Sequence, residues 1–98
     1  MNDCSKADDT MQKIGTVCDG IKAILLEKNR RYGNSALAPL RVFSRSVPSE
    51  GIRVRLDDKL SRIRNAETLR RNDVVDTAGY LILLCVSEGW TDFGDLID

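Results

Sequence analysis

Apolar residues recur through the first third of the chain at Met11, Ile14, Cys18, Ile21 and Leu25, and the same spacing continues through Lys28 to Tyr32. Steps of three and four residues place these side chains on one stripe of an α-helix. Val17 and Ile24 widen the stripe. The pattern predicts a first helix over about 9–31, capped by Thr10 or Ser5, with residues 1–8 frayed. Gly33, backed by Asn34, suits the left-handed residue that ends a helix. Gly15 and Gly20 weaken this helix by roughly 1 kcal/mol each relative to Ala. Glycine also permits close approach, so they mark a possible tight helix contact.

A second periodic run, Ile52, Leu56, Leu60 and Ile63, predicts a helix over about 50–65, with Ser49 as its cap and Glu50 in its first turn. Between the two lies a segment over 33–49 that is long for a connection in a small domain. Leu37, Leu40, Val42, Phe43 and Val47 make it too apolar for disorder, so a packed loop with one short helical turn is expected. Residues 66–71 form a polar link. A third helix is expected from a cap at Asn72 or Asp73 to Gly89. It is apolar nearly all round, from Val74 to Val86. Such a helix is central and buried, or lies in an oligomer interface. The tail carries Trp90, Phe93, Leu96 and Ile97, enough for one last turn or for docking on a partner chain. No segment alternates as a strand does. The expectation is a single all-α domain over 1–98, with three main helices completed as a helical bundle by oligomerisation.

Composition narrows the chemistry. The 98 residues contain no His, which removes imidazole catalysis, a Ser-His-Asp triad and any His-containing zinc site. Cys4, Cys18 and Cys85 are odd in number and lack metal-ligand spacing. Cys18 and Cys85 fall on apolar faces and are expected to be buried, reduced thiols of a cytoplasmic protein. No apolar run reaches the ~18 residues of a membrane span, and the acidic, polar start does not resemble a signal peptide.

Formal net charge is zero, from 15 basic and 15 acidic residues, but the charges are segregated. Residues 1–27 carry net −2, residues 28–71 net +8, and residues 72–98 net −6 with no base at all. The basic middle suits a phosphate-bearing partner, or else folds against the acidic end. On the second helix Arg55, Lys59 and Arg62 share one face, and Asp58 can pair with Arg62 or Arg55. This is a phosphate stripe or a solvated face with local ion pairs. Lys28, Arg31 and Tyr32, followed by Asn34 and Ser35, form a second candidate corner. Arg45 and Arg41 in the loop add to it. Asp73, Asp76 and Tyr80 lie on one face of the third helix. Asp73 suits a helix cap. Asp76 suits an ion pair to the basic stripe, a ribose hydroxyl, or Mg²⁺.

Several of these segments resemble a phage family, the nucleotide modification associated domain. They are Tyr32-Gly33-Asn34-Ser35 after a helix bearing Lys28, Pro39, Phe43-Ser44, the run Arg53 to Ile63, and Asp73 to Leu81. The resemblance covers roughly residues 25–86 and implies a role in phage nucleotide metabolism. A weaker resemblance is to all-α, MazG-like nucleoside triphosphate pyrophosphatases, whose second metal motif Asp73-x-x-Asp76 is similar to. Where that family's first motif has acids, this chain has Asp58-Lys59-x-x-Arg62. Cations there repel Mg²⁺ but neutralise phosphate.

The resemblances imply a cytoplasmic phage protein that binds a nucleotide or cyclic nucleotide without turnover, for nucleotide metabolism or to sequester a host defence signal. Its ligand- and phosphate-binding residues would be Lys28, Arg31, Tyr32, Asn34, Ser35, Arg45, Arg55, Lys59, Arg62 and Tyr80, the cations holding phosphates and Tyr32 or Tyr80 contacting base or ribose, with no cofactor. The alternative is a Mg²⁺-dependent pyrophosphatase holding metal with Asp58, Asp73 and Asp76, and Glu27 as a further ligand. A nucleic-acid or protein interaction module is the third reading, and the acidic tail weighs against nucleic acid.

Overall fold

The computed structural model describes residues 3–33 and 48–97. Three helices occupy most of them: α1 over Asp3–Tyr32, α2 over Pro48–Asn65 and α3 over Arg71–Glu88, followed by a 3-10 turn over Gly94–Leu96. No strand occurs among the described residues, and the fold is all-α as expected. No helix among them is long and apolar enough to cross a membrane. The loop residues 34–47, including Asn34, Ser35, Arg41 and Arg45, lie outside the described residues.

Helix ends follow backbone chemistry. Gly33 takes φ 61° after α1 and Gly89 takes φ 76° after α3. At the second, Gly89 donates its N–H to Val86 O at 3.1 Å and Trp90 donates to Cys85 O at 2.9 Å. These paired bonds satisfy carbonyls that the end of a helix otherwise leaves free. Helix starts differ from expectation in three places. α1 begins at Asp3, so residues 3–8 are helical rather than frayed. They have no apolar face, so periodicity does not register them, yet Lys6 and Ala7 are residues that form helix readily. α2 takes in Ser49 and starts at Pro48, whose fixed φ suits the first helical position. α3 starts at Arg71, with extended Arg70 before it and no side-chain cap. Asp73 is thus not the cap. It sits in the first helical turn and is only 4% exposed.

α3 is the centre of the arrangement. α2 packs along it and α1 packs on it more sparingly, while α1 and α2 do not pack on one another. The buried apolar core is Ile52 and Leu56 of α2, at 1% and 8% exposure. Farther along the predicted α2 stripe Ile63 is half-buried and Leu60 is exposed. Val74, Leu81, Ile82 and Val86 of α3 are also exposed on the single chain. The radius of gyration, 16.4 Å, exceeds the ~13 Å usual for a compact chain of this length.

The cause is α1. Its residues 6–20 are all exposed, and Met11, Ile14 and Val17 display an apolar stripe to solvent. Cys18, expected to be buried, is exposed on that stretch, and Cys85 is half-buried. Among the described residues nothing makes the tight contact expected at Gly15 and Gly20, since a Cβ at either would meet nothing within 4 Å. Close approach occurs instead at Gly79 of α3, where a Cβ would lie 3.5 Å from Leu25 Cδ1. There α1 settles against α3.

Candidate functional site

On α1, Leu25, Lys28 and Tyr32 repeat at helical spacing on the half that meets α3. On α3, Asp76, Tyr80 and Leu83 do the same, and Gly79 between them leaves room for Leu25 at the crossing, which a side chain larger than a methyl would fill. The result is a cleft of about 330 Å³ between α1 and α3. Ile21, Ile24, Leu25, Val75 and Leu83 form its apolar wall, and Lys28, Asn29, Tyr32, Arg55, Asp76 and Tyr80 supply the polar and aromatic lining. Its size falls within the ~300–1,000 Å³ of small-molecule sites.

Asp76 organises the rim. Its Oδ1 accepts from Lys28 Nζ at 3.2 Å and its Oδ2 lies 3.2 Å from Lys59 Nζ. One carboxylate therefore ties α1 and α2 to α3. Partial burial pushes the Asp76 carboxyl up. The hydrogen bonds and charges of Lys59 and Lys28 outweigh that and hold it below the ordinary carboxylate value. Of the roles expected for Asp76, the ion pair to the basic stripe is the one formed. Arg55 donates from Nη1 to Tyr80 Oη at 3.2 Å, with its guanidinium carbon 5.9 Å from the ring centroid. That contact orients the guanidinium without neutralising it.

The other candidates are placed elsewhere. Arg62 pairs with Asp58 at 3.4 Å on an exposed flank of α2 and does not line the cleft. Arg31 is drawn to Glu27 at 2.9 Å, beside Arg30 at 2.6 Å. Arg30 and then Arg31 lower the Glu27 carboxyl from its ordinary value. The potential metal ligands do not converge. Asp58 faces solvent with Arg62, Asp73 is buried at the start of α3, and Asp76 is held by two lysines. Among the described residues no three carboxylates or thiols gather where they could hold a metal ion. An Arg at i+4 from Asp58 captures it locally, and Lys28 and Lys59 engage Asp76.

Sequence reasoning named Lys28, Tyr32, Arg55, Asp76 and Tyr80 but not Asn29, nor Gly79 as the point of approach. It also read the Ile21, Leu25 and Leu83 wall as core. The available signal was the position of Gly79 inside an otherwise bulky helix, midway between two polar candidates on one face.

Comparison of the chain with protein-family models, with curated proteins and with solved structures finds no match.

The cleft joins an apolar and aromatic wall to two lining cations, Lys28 and Arg55, while Lys59 reaches its rim through the Asp76 carboxylate. Each lysine ammonium has three donors and spends one on Asp76. Donors therefore remain for an anion that brings an apolar or aromatic body with it.

Proposed function

We propose that this chain is a phage nucleotide-binding protein of the host cytoplasm, which holds a nucleotide or cyclic nucleotide without turning it over. Lys28, Arg55 and Lys59 receive the phosphates. Tyr32 and the apolar wall receive the base, and Tyr80 steadies Arg55. The observation that carries the reading is the pair of cations Lys28 and Arg55 lining one cleft beside its apolar wall, with Lys59 joined to them at the rim through Asp76. The segments from Arg53 to Ile63 and from Asp73 to Leu81, which resemble the phage family, supply most of that rim. Metabolism of phage nucleotides and sequestration of a host signal are both served by such a site. The pyrophosphatase alternative lacks a carboxylate cluster among the described residues to hold its metal.

The same reading includes a second copy of the chain. Two buried apolar residues make a small core, whereas Met11, Ile14 and Val17 of α1 and Leu81, Ile82 and Val86 of α3 are left exposed. Burial against another copy removes that surface from water.

Thermal denaturation with a panel of nucleoside phosphates and cyclic nucleotides, in EDTA and then in Mg²⁺, tests the reading. A ligand at 100 times its Kd adds about 2.7 kcal/mol to stability. The expected result is a raised Tm in EDTA, intact ligand recovered after denaturation, and loss of the shift in Lys59→Glu but not in Arg62→Glu. Equal effects of the two substitutions would move the site to the outer face of α2. Release of pyrophosphate that disappears in Asp76→Asn would make the protein a hydrolase.

A further inference from the structure

The tail after Gly89 is not part of the cleft, yet its chemistry complements the cleft. It reads Trp90-Thr91-Asp92-Phe93-Gly94-Asp95-Leu96-Ile97, and no basic residue follows Arg71. The paired hydrogen bonds at Gly89 set its direction. Gly94 N–H donates to the Asp92 carboxylate at 3.0 Å, Leu96 N–H to Phe93 O at 3.0 Å, and Ile97 N–H to Gly94 O at 3.3 Å. This small scaffold displays Trp90, Phe93, Leu96 and Ile97 at 46 to 82% exposure, beside Asp92 and Asp95. The 3-10 turn packs against none of the three helices of its own chain. An acidic turn with large apolar side chains is therefore built and held out from the helices.

We infer that this tail docks into the α1–α3 cleft of a second copy, its carboxylates meeting Lys28 and Arg55 and its apolar side chains meeting the wall around Leu25 and Leu83. Charge complementarity selects the cleft over the exposed α3 residues Leu81, Ile82 and Val86, in a stretch with no base, and over the first half of α1. On that half the bases alternate with acids, and Lys13 is already paired with Asp9 at 3.0 Å. The cleft offers cations on one rim and apolar side chains beneath them, which is the pattern the tail mirrors. Reciprocal exchange closes such a contact into a two-fold pair, and one-way exchange closes it into a ring. Tail carboxylates and ligand phosphates seek the same cations, so nucleotide releases the tail. This last consequence rests on the proposed nucleotide reading; the docking itself does not.

Trp90 is the sole tryptophan and reports the docking directly. Emission of the full-length protein is followed on dilution in low-salt, metal-free buffer. The expected result is a blue-shifted maximum when concentrated that moves to the red on dilution. Arg55→Glu and the double variant Asp92→Lys, Asp95→Lys each lose the concentration dependence while keeping their helical circular dichroism. Mixed in equal amounts they regain it, because the intact tail of one meets the intact cleft of the other. Emission independent of concentration in the unmodified protein overturns the inference, as does a shift that survives both charge reversals. ATP and cyclic AMP, added at constant ionic strength, are expected to move the emission to the red. Calorimetric binding of either that leaves Trp90 unmoved overturns the inference and preserves the nucleotide reading. Concentration-dependent docking with no binding of either preserves the inference and overturns the nucleotide reading.

Discussion

The α2–α3 pair and α1 are built on the same amphipathic principle but have different fates. α2 buries Ile52 and Leu56 against α3, and all the buried apolar side chains among the described residues belong to that pair. α1 is the longest helix and buries none of its described side chains fully, although its stripe is the more regular of the two. Only its second half reaches α3, at Gly79, and there it completes the cleft. One region therefore supplies cohesion, while the other supplies a wall of the site and a free apolar surface. Periodicity says which face of a helix seeks burial, but not how much of that face will find a neighbour.

The largest effect is expected from Ile52→Ala, which opens a cavity in the small core. A loss of about 2–5 kcal/mol is expected in urea denaturation. A loss below 1 kcal/mol would mean that α2 and α3 are held together by other contacts. Next comes Gly79→Leu, which drives a side chain into Leu25 and costs about 1–3 kcal/mol by overpacking. It should also abolish the ligand-induced rise in Tm, whereas Ile52→Ala should retain it at reduced temperature. Gly79→Ala is the control, since its Cβ meets Leu25 at ordinary contact distance and the change favours helix.

Asp76→Asn probes the one charge that joins all three helices. The folded-state carboxyl lies below its ordinary value, so its contribution is present above the unfolded value of about 4 and is lost as pH falls through the depressed value. Stability measured from pH 6 downward should fall less steeply in Asp76→Asn than in the unmodified protein. Identical slopes would show that Lys28 and Lys59 do not sense the carboxylate. Gly20→Ala is expected to raise stability, by up to about 1 kcal/mol, because it improves helix propensity where a Cβ meets nothing. A loss at that position would reveal a partner packed against the first half of α1. The smallest effect belongs to Lys13→Ala, which breaks an exposed pair with Asp9 worth a few tenths of a kcal/mol, read as a change in helical circular dichroism.

Much of this architecture is legible before any coordinates. The ends of α1 and α3 follow from Gly33 and Gly89, because only a residue tolerant of positive φ terminates a helix so sharply. The class and number of helices follow from the 3-4 spacing. Starts are less legible. Arg71 begins α3 without a side-chain cap, and Asp3 and Pro48 begin their helices ahead of the positions that sequence reasoning chose as caps. In the cleft, Lys28, Arg55, Asp76 and Tyr80 were visible as candidates. The partnership of Lys28 with Asp76, 48 positions away, left no local trace. Nor did spacing separate Lys59, which reaches Asp76, from Arg62, which turns to Asp58.

By itself the sequence determined what is local: three helices, the apolar stripe of each, their stops, and a basic middle beside a purely acidic end. These depend on backbone preference and on side chains three or four residues apart, which a linear pattern encodes completely. Tertiary structure alone decided which cations share the Asp76 carboxylate, which half of the α1 stripe stays exposed, and that Gly79 rather than Gly15 or Gly20 sets the closest approach. Those outcomes depend on the distances and angles between helices. At Gly79, where α1 crosses α3, a side chain larger than a methyl would run into Leu25, and nothing in the linear pattern marks that crossing.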